Sequence, residues 1–248
     1  MESVFLGDPA LANAHHFPMI TMNATGGATS LAFQIKGYTT TLCGSASALA
    51  YAADLTAQGR QDRIAVVTGD EMTPRLARLY HRAGVVASAQ KPGVGRADAL
   101  GEFGAAMTIE RRRVAQARGA DVLARLTGWA TFQDPIDLSV RKDGAAMVRA
   151  VRAALAQAGH TPADVGTLVL LDSGLAPTFT AASKAVATLF GNEVPLIKHP
   201  TKVCGYAPSA AAMMTVIAGL QSPEGITLAA GYDVIGEAFA FVIEGAEQ

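Results

Sequence analysis

The sequence predicts an α/β fold with helices layered against sheets. Two observations predict it. Short apolar runs rich in β-branched residues alternate along the chain with longer Ala-rich segments of helical periodicity. Half of the 248 residues are hydrophobic and 17% are charged, a balance that supplies a sizeable core and argues against general disorder. No Gly/Ser linker, low-complexity tract or strict short repeat interrupts the alternation.

The elements follow in order. The stretch TTTLCGSASALAYAADL, Thr39 to Leu55, runs from small polar residues through Cys43 into a helical pattern that continues to Gly59, a residue suited to a helix C-terminus. RIAVVTGDE, Arg63 to Glu71, is a strand body ending in a polar turn. AAMTIE (Ala105 to Glu110) and VLARLTGWA (Val122 to Ala130) are expected as two strands paired around RRRVAQARGAD, with Arg111 to Arg113 in a solvated turn. GAAMVRAVRAALAQAG, Gly144 to Gly159, is a helix with Met147, Val151, Ala154 and Ala158 on one face and Arg149, Arg152 and Gln157 turned away. HTPAD follows, with Thr161 as a cap and Pro162 at the first helical position. TLVLLDSG (Thr167 to Gly174) is a buried strand, TAASKAVATLFG (Thr180 to Gly191) a helix, and ITLAAGYD and FAFVIEG two closing strands. A strand, polar turn and helix recur on each side of about residue 135, an arrangement compatible with internal duplication.

Composition narrows the function. With 20 basic and 21 acidic residues the formal net charge is −1, so nothing points to a nucleic acid or a membrane surface. The two cysteines, Cys43 and Cys204, make no disulfide framework and no CxxC motif, which fits a reducing, cytoplasmic setting. MESVFLGDPALANAHHF has no basic region ahead of an apolar stretch, so it is not read as a signal peptide. SAAAMMTVIAGL, Ser209 to Leu220, is too short to span a bilayer. The mean hydropathy of +0.26 is high for such a chain. It fits either Ala-rich helices in a large core or a buried subunit interface.

Cys43 is the residue with chemistry to offer. It precedes a helix start, where amide groups and the helix dipole favour a thiolate, and Gly44 and Ser45 let a substrate approach the backbone. A cysteine among small apolar residues is also ordinary packing. His15 and His16 have no partner at metal-ligand spacing, so neither a metal nor any other cofactor is expected. His81 and His160 are expected in loops or surface turns.

These residues resemble the β-ketoacyl synthases of the thiolase fold, whose nucleophilic cysteine lies in a Thr-Ala-Cys-Ala-Ser/Thr-Gly-type turn at a helix start. Here that turn is Thr41-Leu42-Cys43-Gly44-Ser45-Ala46. NATGGATSLAFQIKGYTTTLC resembles the stretch leading into it, with Tyr38 in place of a proline. GRQDRIAVVTGDE resembles a segment ending in Gly-Gly-Ala-Glu, with Glu71 at the acidic position. LGEFGAAMTIERRRVAQARGADVLARLTGWA resembles Gly-Glu-Gly-Ala-Gly followed by strand, charged turn and strand, and KDGAAMVRAVRAALAQAGHTPADV the helix and turn that open the second half. The resemblance runs from about Phe17 to Glu244. It implies a layered α/β/α(β/α) thiolase-like domain over residues 1–248, lacking the opening layers because only 42 residues precede Cys43. Residues 1–135, with Cys43, correspond to the first half and residues 136–248 to the second.

The departures direct the functional reading. Condensing enzymes of this family use two histidines as donors that stabilise an enolate. The first lies in a His-Gly-Thr-Gly-Thr turn, which here is Leu171-Asp172-Ser173-Gly174-Leu175. The second lies in Lys-Ser-x-x-Gly-His, which here is Lys202-Val203-Cys204-Gly205-Tyr206, one residue tighter, with Tyr206 at the histidine. The Gly-Phe-Gly-Gly turn becomes Gly231-Tyr232-Asp233-Val234. The resemblance therefore implies a non-condensing subunit like a chain-length factor, paired with a full ketosynthase, or with itself, through a strand at Thr39–Leu42, and served by an acyl carrier protein. The alternative is an acyltransferase or condensing enzyme using Cys43, with Tyr206, Lys202, Ser173 and His199 as substitutes for the histidines. On the first of these readings Phe103, Met107, Met213 and Met214 are candidates for tunnel or interface packing, ordinary core being their other reading, and Phe103, Met107, Met213 and Gly205 are the substrate-binding candidates.

Overall fold

The computed structural model describes residues 21–82, 99–134, 143–171, 176–221 and 225–246. It separates into two compact units, residues 1–42 and 43–248. In the first, a helix α1 (Ala24–Ala32) is followed by the chain leading to Cys43. The Ser30 and Thr39 hydroxyls lie 3.1 Å apart. The strand expected at Thr39–Leu42 is not formed. A strand requires a pairing partner, and the expected partner belongs to a second chain.

The second unit is built on two sheets. β1 (Arg63–Asp70) and β2 (Phe103–Glu110) form an antiparallel pair. β3 (Ala124–Gln133), β7 (Glu237–Gly245), β6 (Ile226–Tyr232), β4 (Val165–Leu171) and β5 (Leu196–Lys198) form the other sheet in that order. β4 runs parallel to β5 and β6, while β7 runs antiparallel to β6 and β3. The expected pairing of the strands flanking RRRVAQARGAD is therefore corrected: β2 takes β1 as its partner, and β3 takes β7. Between them lies α4 (Arg112–Ala117) rather than a plain turn, with Arg111 at its N-cap. Arg111 and Arg113 both pair with Asp62, each at 3.3 Å. A helical turn redirects the chain away from β2, so the two strands cannot meet as a hairpin.

The large sheet is buried on both faces, and its strands alternate between two cores. Leu228, Ala230, Ala238, Ala240 and Val242 face one side with α5 (Ala145–Ala158) and α6 (Ala176–Phe190). Ala229, Phe239, Phe241 and Ile243 face the other with α2 (Ser47–Ala57) and α8 (Ala211–Leu220). This is the period-two pattern of a doubly covered sheet. The second core continues through Val66 and the half-buried Phe103 and Met107 onto the small sheet. The described layers are thus helix, sheet, helix, sheet. Each fully buried Met147, Leu168 or Phe241 contributes on the order of 2 kcal/mol of burial.

The helix ends behave as composition predicts. After α2, the Gly59 N–H donates to the Thr56 carbonyl and the Arg60 N–H to that of Leu55, with Gly59 at φ +71°, the left-handed stop that glycine allows. Thr161 and Asp164 close a reciprocal cap over the short 3₁₀ turn Pro162–Asp164. α3 (Pro74–Arg82) was not expected; its Thr73-Pro74 start is the signal, with the Leu76 N–H donating to the Thr73 hydroxyl at 3.3 Å. His81 lies in its last turn rather than in a loop. His160 follows α5 and sits 3.0 Å from Glu244. α7 (Thr201–Cys204) is a single turn.

Candidate functional site

Cys43 is an exposed free thiol at the head of the turn leading into α2. The turn is fastened from behind by the hairpin between β6 and β7. The Ser45 N–H donates to Asp233 Oδ2 at 3.1 Å, and the Ala46 N–H donates to Glu237 Oε2 at 3.1 Å. The Ser47 hydroxyl donates to Glu237 Oε1. Asp233 Oδ1 accepts from the N–H groups of Ile235 and Glu237, both at 2.9 Å. Both carboxylates are buried. Burial raises both pKa values above the ordinary carboxylate range, with the hydrogen bonds pulling the other way.

Tyr206 lies at the same hairpin. It is 0% exposed, and among the described residues its hydroxyl meets no partner at hydrogen-bonding geometry. Its pKa is pushed well up, first by burial and then by Asp233, Tyr80 and Asp70, with only the Val234 backbone opposing. Tyr80, on α3, is raised by burial and by Asp70 and Asp233. Two phenols and two carboxylates thus share one electrostatic cluster, with Asp233 linking Tyr206 to the Cys43 turn. Asp70 also fixes the start of α8: its Oδ2 accepts from the Ser209 N–H at 2.7 Å and the Ala210 N–H at 3.0 Å.

Lys202 is exposed on α7, and His199 is half-buried just before it. Gly205 backs onto the Leu100–Gly101 backbone, where a side chain would collide. The Tyr206 N–H donates to the Ala99 carbonyl at 2.9 Å and the Gly101 N–H to that of Tyr206 at 3.0 Å, which explains that tightness. Met213 and Met214 are buried in the second core, and Phe103 and Met107 pack along it. Ser173, His15 and His16 lie outside the described residues. Among the described residues no group of His, Cys, Asp and Glu is placed to hold a metal ion, and no helix is long and apolar enough to cross a membrane.

Glu237, Tyr80 and Asp70 went unnoticed in the sequence. Asp233 carried a signal, since it replaces a glycine of the resembled turn. Glu237 carried none, because only the hairpin brings it back to Ala46.

Comparisons with known proteins agree with this architecture. No family model matches the sequence. Over 123 residues the chain is 32% identical to the "Actinorhodin polyketide putative beta-ketoacyl synthase 2" of Streptomyces coelicolor. That match spans 49% of this chain and 30% of the relative's length. Among solved structures, one of a type II polyketide acyl-carrier protein in complex with its ketosynthase, bound to the hexaketide, contains a similar chain. It has a TM-score of 0.83 at 17% identity, covering 96% of this chain and 70% of that one. The ishigamide ketosynthase/chain length factor gives 0.78 at 25% identity, covering 99% of this chain and 68% of that one. A β-ketoacyl synthase from Burkholderia phymatum STM815 gives 0.82 at 16%, covering 95% and 68%. The chain has the thiolase-like fold of these ketosynthases and is similar in sequence to a ketosynthase over about half its length.

Proposed function

We propose that this chain is a non-condensing, chain-length-factor-like partner of a full ketosynthase in polyketide- or fatty-acid-type biosynthesis. Tyr206 carries the reading. Decarboxylative condensation passes through an enolate, which needs donors aimed at its oxygen. Where the resemblance calls for an imidazole, this chain has a fully buried phenol beside Asp233 and Asp70. Carboxylates disfavour a further negative charge at close range. Relatives named as a ketosynthase/chain length factor and as an acyl-carrier protein with its ketosynthase support the partner classes. The test is co-expression with a full type II ketosynthase, followed by size exclusion with light scattering. A heterodimer is expected, with no condensation by the isolated chain given malonyl- and acyl-carrier protein. Condensation by the isolated chain overturns the reading.

One observation favours a second reading. Cys43 is an exposed free thiol at a helix approach, and acyl transfer between thiols forms no carbanion. An acyltransferase of this kind takes an acyl group from the carrier protein onto Cys43, seen as an intact-mass adduct that Cys43→Ala abolishes.

A further inference from the structure

The helix α3, PRLARLYHR, has two unlike faces. Leu76, Ala77 and Tyr80 fall on one side and are half-buried. Arg75, Arg78, Leu79 and Arg82 fall on the other, within an arc of about 100° at 3.6 residues per turn. All four are exposed, Leu79 at 61%. A solvated helix face ordinarily interleaves both signs of charge; this one carries three arginines and no acidic residue. Nor are the charges met from elsewhere. Among the described residues no carboxylate forms an ion pair with Arg75, Arg78 or Arg82. The Arg78 Nε donates to the Pro74 carbonyl of its own helix at 3.2 Å. Around the start of α3, Asp70 is committed to the Ser209 and Ala210 amides. Glu102 Oε1 accepts from the Met72 N–H at 2.8 Å, and Glu71 is exposed ahead of the helix. The arginines at the end of the small sheet are different: Arg111 and Arg113 share Asp62, and Arg118 pairs with Glu110. The inner face of α3 meanwhile carries Tyr80 to the charges of Asp70 and Asp233, the latter holding the Cys43 turn.

We infer that the outer face of α3 is a docking surface for an acidic helix with an apolar centre, presented by the acyl carrier protein that serves the proposed partnership. The inference rests on that reading and names the surface it uses. Arginines around an exposed apolar residue have the composition of an interface rather than of open surface. Their charge steers a negatively charged partner on encounter, and Leu79 supplies the burial that holds it. A carrier protein seated there lies one helix away from the cluster behind Cys43.

The test titrates the full chain into fluorescently labelled holo acyl carrier protein from a type II polyketide system and follows anisotropy. Saturable binding is expected, weakening as ionic strength rises. The double variant Arg75→Glu/Arg82→Glu is expected to weaken it at least about tenfold, and Arg75→Gln/Arg82→Gln by less. Leu79→Ala, which changes no charge, is expected to weaken it about fivefold. Arg152→Glu, exposed on α5, is expected to bind as the wild type does. A cooperative melt of each variant checks that it folds. Absence of saturable binding, binding indifferent to the α3 variants, or an equal loss in Arg152→Glu overturns the inference. Vesicles of anionic phospholipid are run in parallel: if they bind more tightly than the carrier protein and lose binding in the same variants, the face is a lipid surface and the inference falls. Heterodimer formation with a full ketosynthase is read separately in the same variants, so the proposed function can stand if the docking surface falls.

Discussion

Three residues set the character of the site. Tyr206 is a buried hydroxyl without a partner at hydrogen-bonding geometry among the described residues, and such a group costs stability. Tyr206→Phe is expected to leave unfolding free energy unchanged or raise it by up to about 1 kcal/mol, read by urea titration. In the proposed heterodimer it is expected to leave product formation intact, whereas a donor role would lower turnover. Asp233 and Glu237 make the second prediction at this scale. Their folded pKa values lie above those of the unfolded chain, so the folded state holds protons that the unfolded state releases. Stability therefore declines as pH rises from the ordinary carboxylate range towards the raised values. Glu237→Gln is expected to flatten that decline, checked by urea midpoints across acid to neutral pH. A decline of equal slope in the variant would refute the assignment.

At the scale of elements, close approach and capping decide most. Gly128 lets β3 lie against α5; a side-chain carbon there would run into the Ala154 carbonyl. Gly128→Ala is expected to destabilise by about 2 kcal/mol or more, measured by thermal or urea unfolding. Asp70 supplies the N-terminal acceptor for α8, and Asp70→Ala is expected to cost about 1 kcal/mol. The helices after Cys43 and over Gly144–Gly159 were legible because glycine stops and apolar spacing are local signals. α3 was missed although Thr73-Pro74 announced it. The β2–β3 pairing was misjudged because neighbouring strands in sequence are the usual partners, and nothing local in RRRVAQARGAD reveals that α4 turns the chain from one sheet to the other. Within the site, Cys43 and Tyr206 could be picked from sequence by their motifs. Their shared link through Asp233 could not, since it joins residues 188 apart.

For the whole molecule, the layering explains the high hydropathy in part. Both faces of the five-stranded sheet are covered, and α8 is apolar nearly all round because it lies between the two sheets. If the proposed partner binds the folded chain, the melting temperature of this chain is expected to rise with the concentration of a full ketosynthase; a concentration-independent melt would count against the partnership. The sequence by itself determined the α/β class, six of the seven strands and three of the eight α-helices among the described residues, the likeness to ketosynthases and the absence of histidine from the Lys202–Tyr206 stretch. These are properties of composition, period and order along the chain. Only the tertiary structure decided which strands pair, that Met213 and Met214 are buried in the second core, and that two carboxylates from a distant hairpin sit on the amides behind Cys43. Hydrogen bonds between remote segments follow from the global path of the backbone, and no local pattern encodes that path.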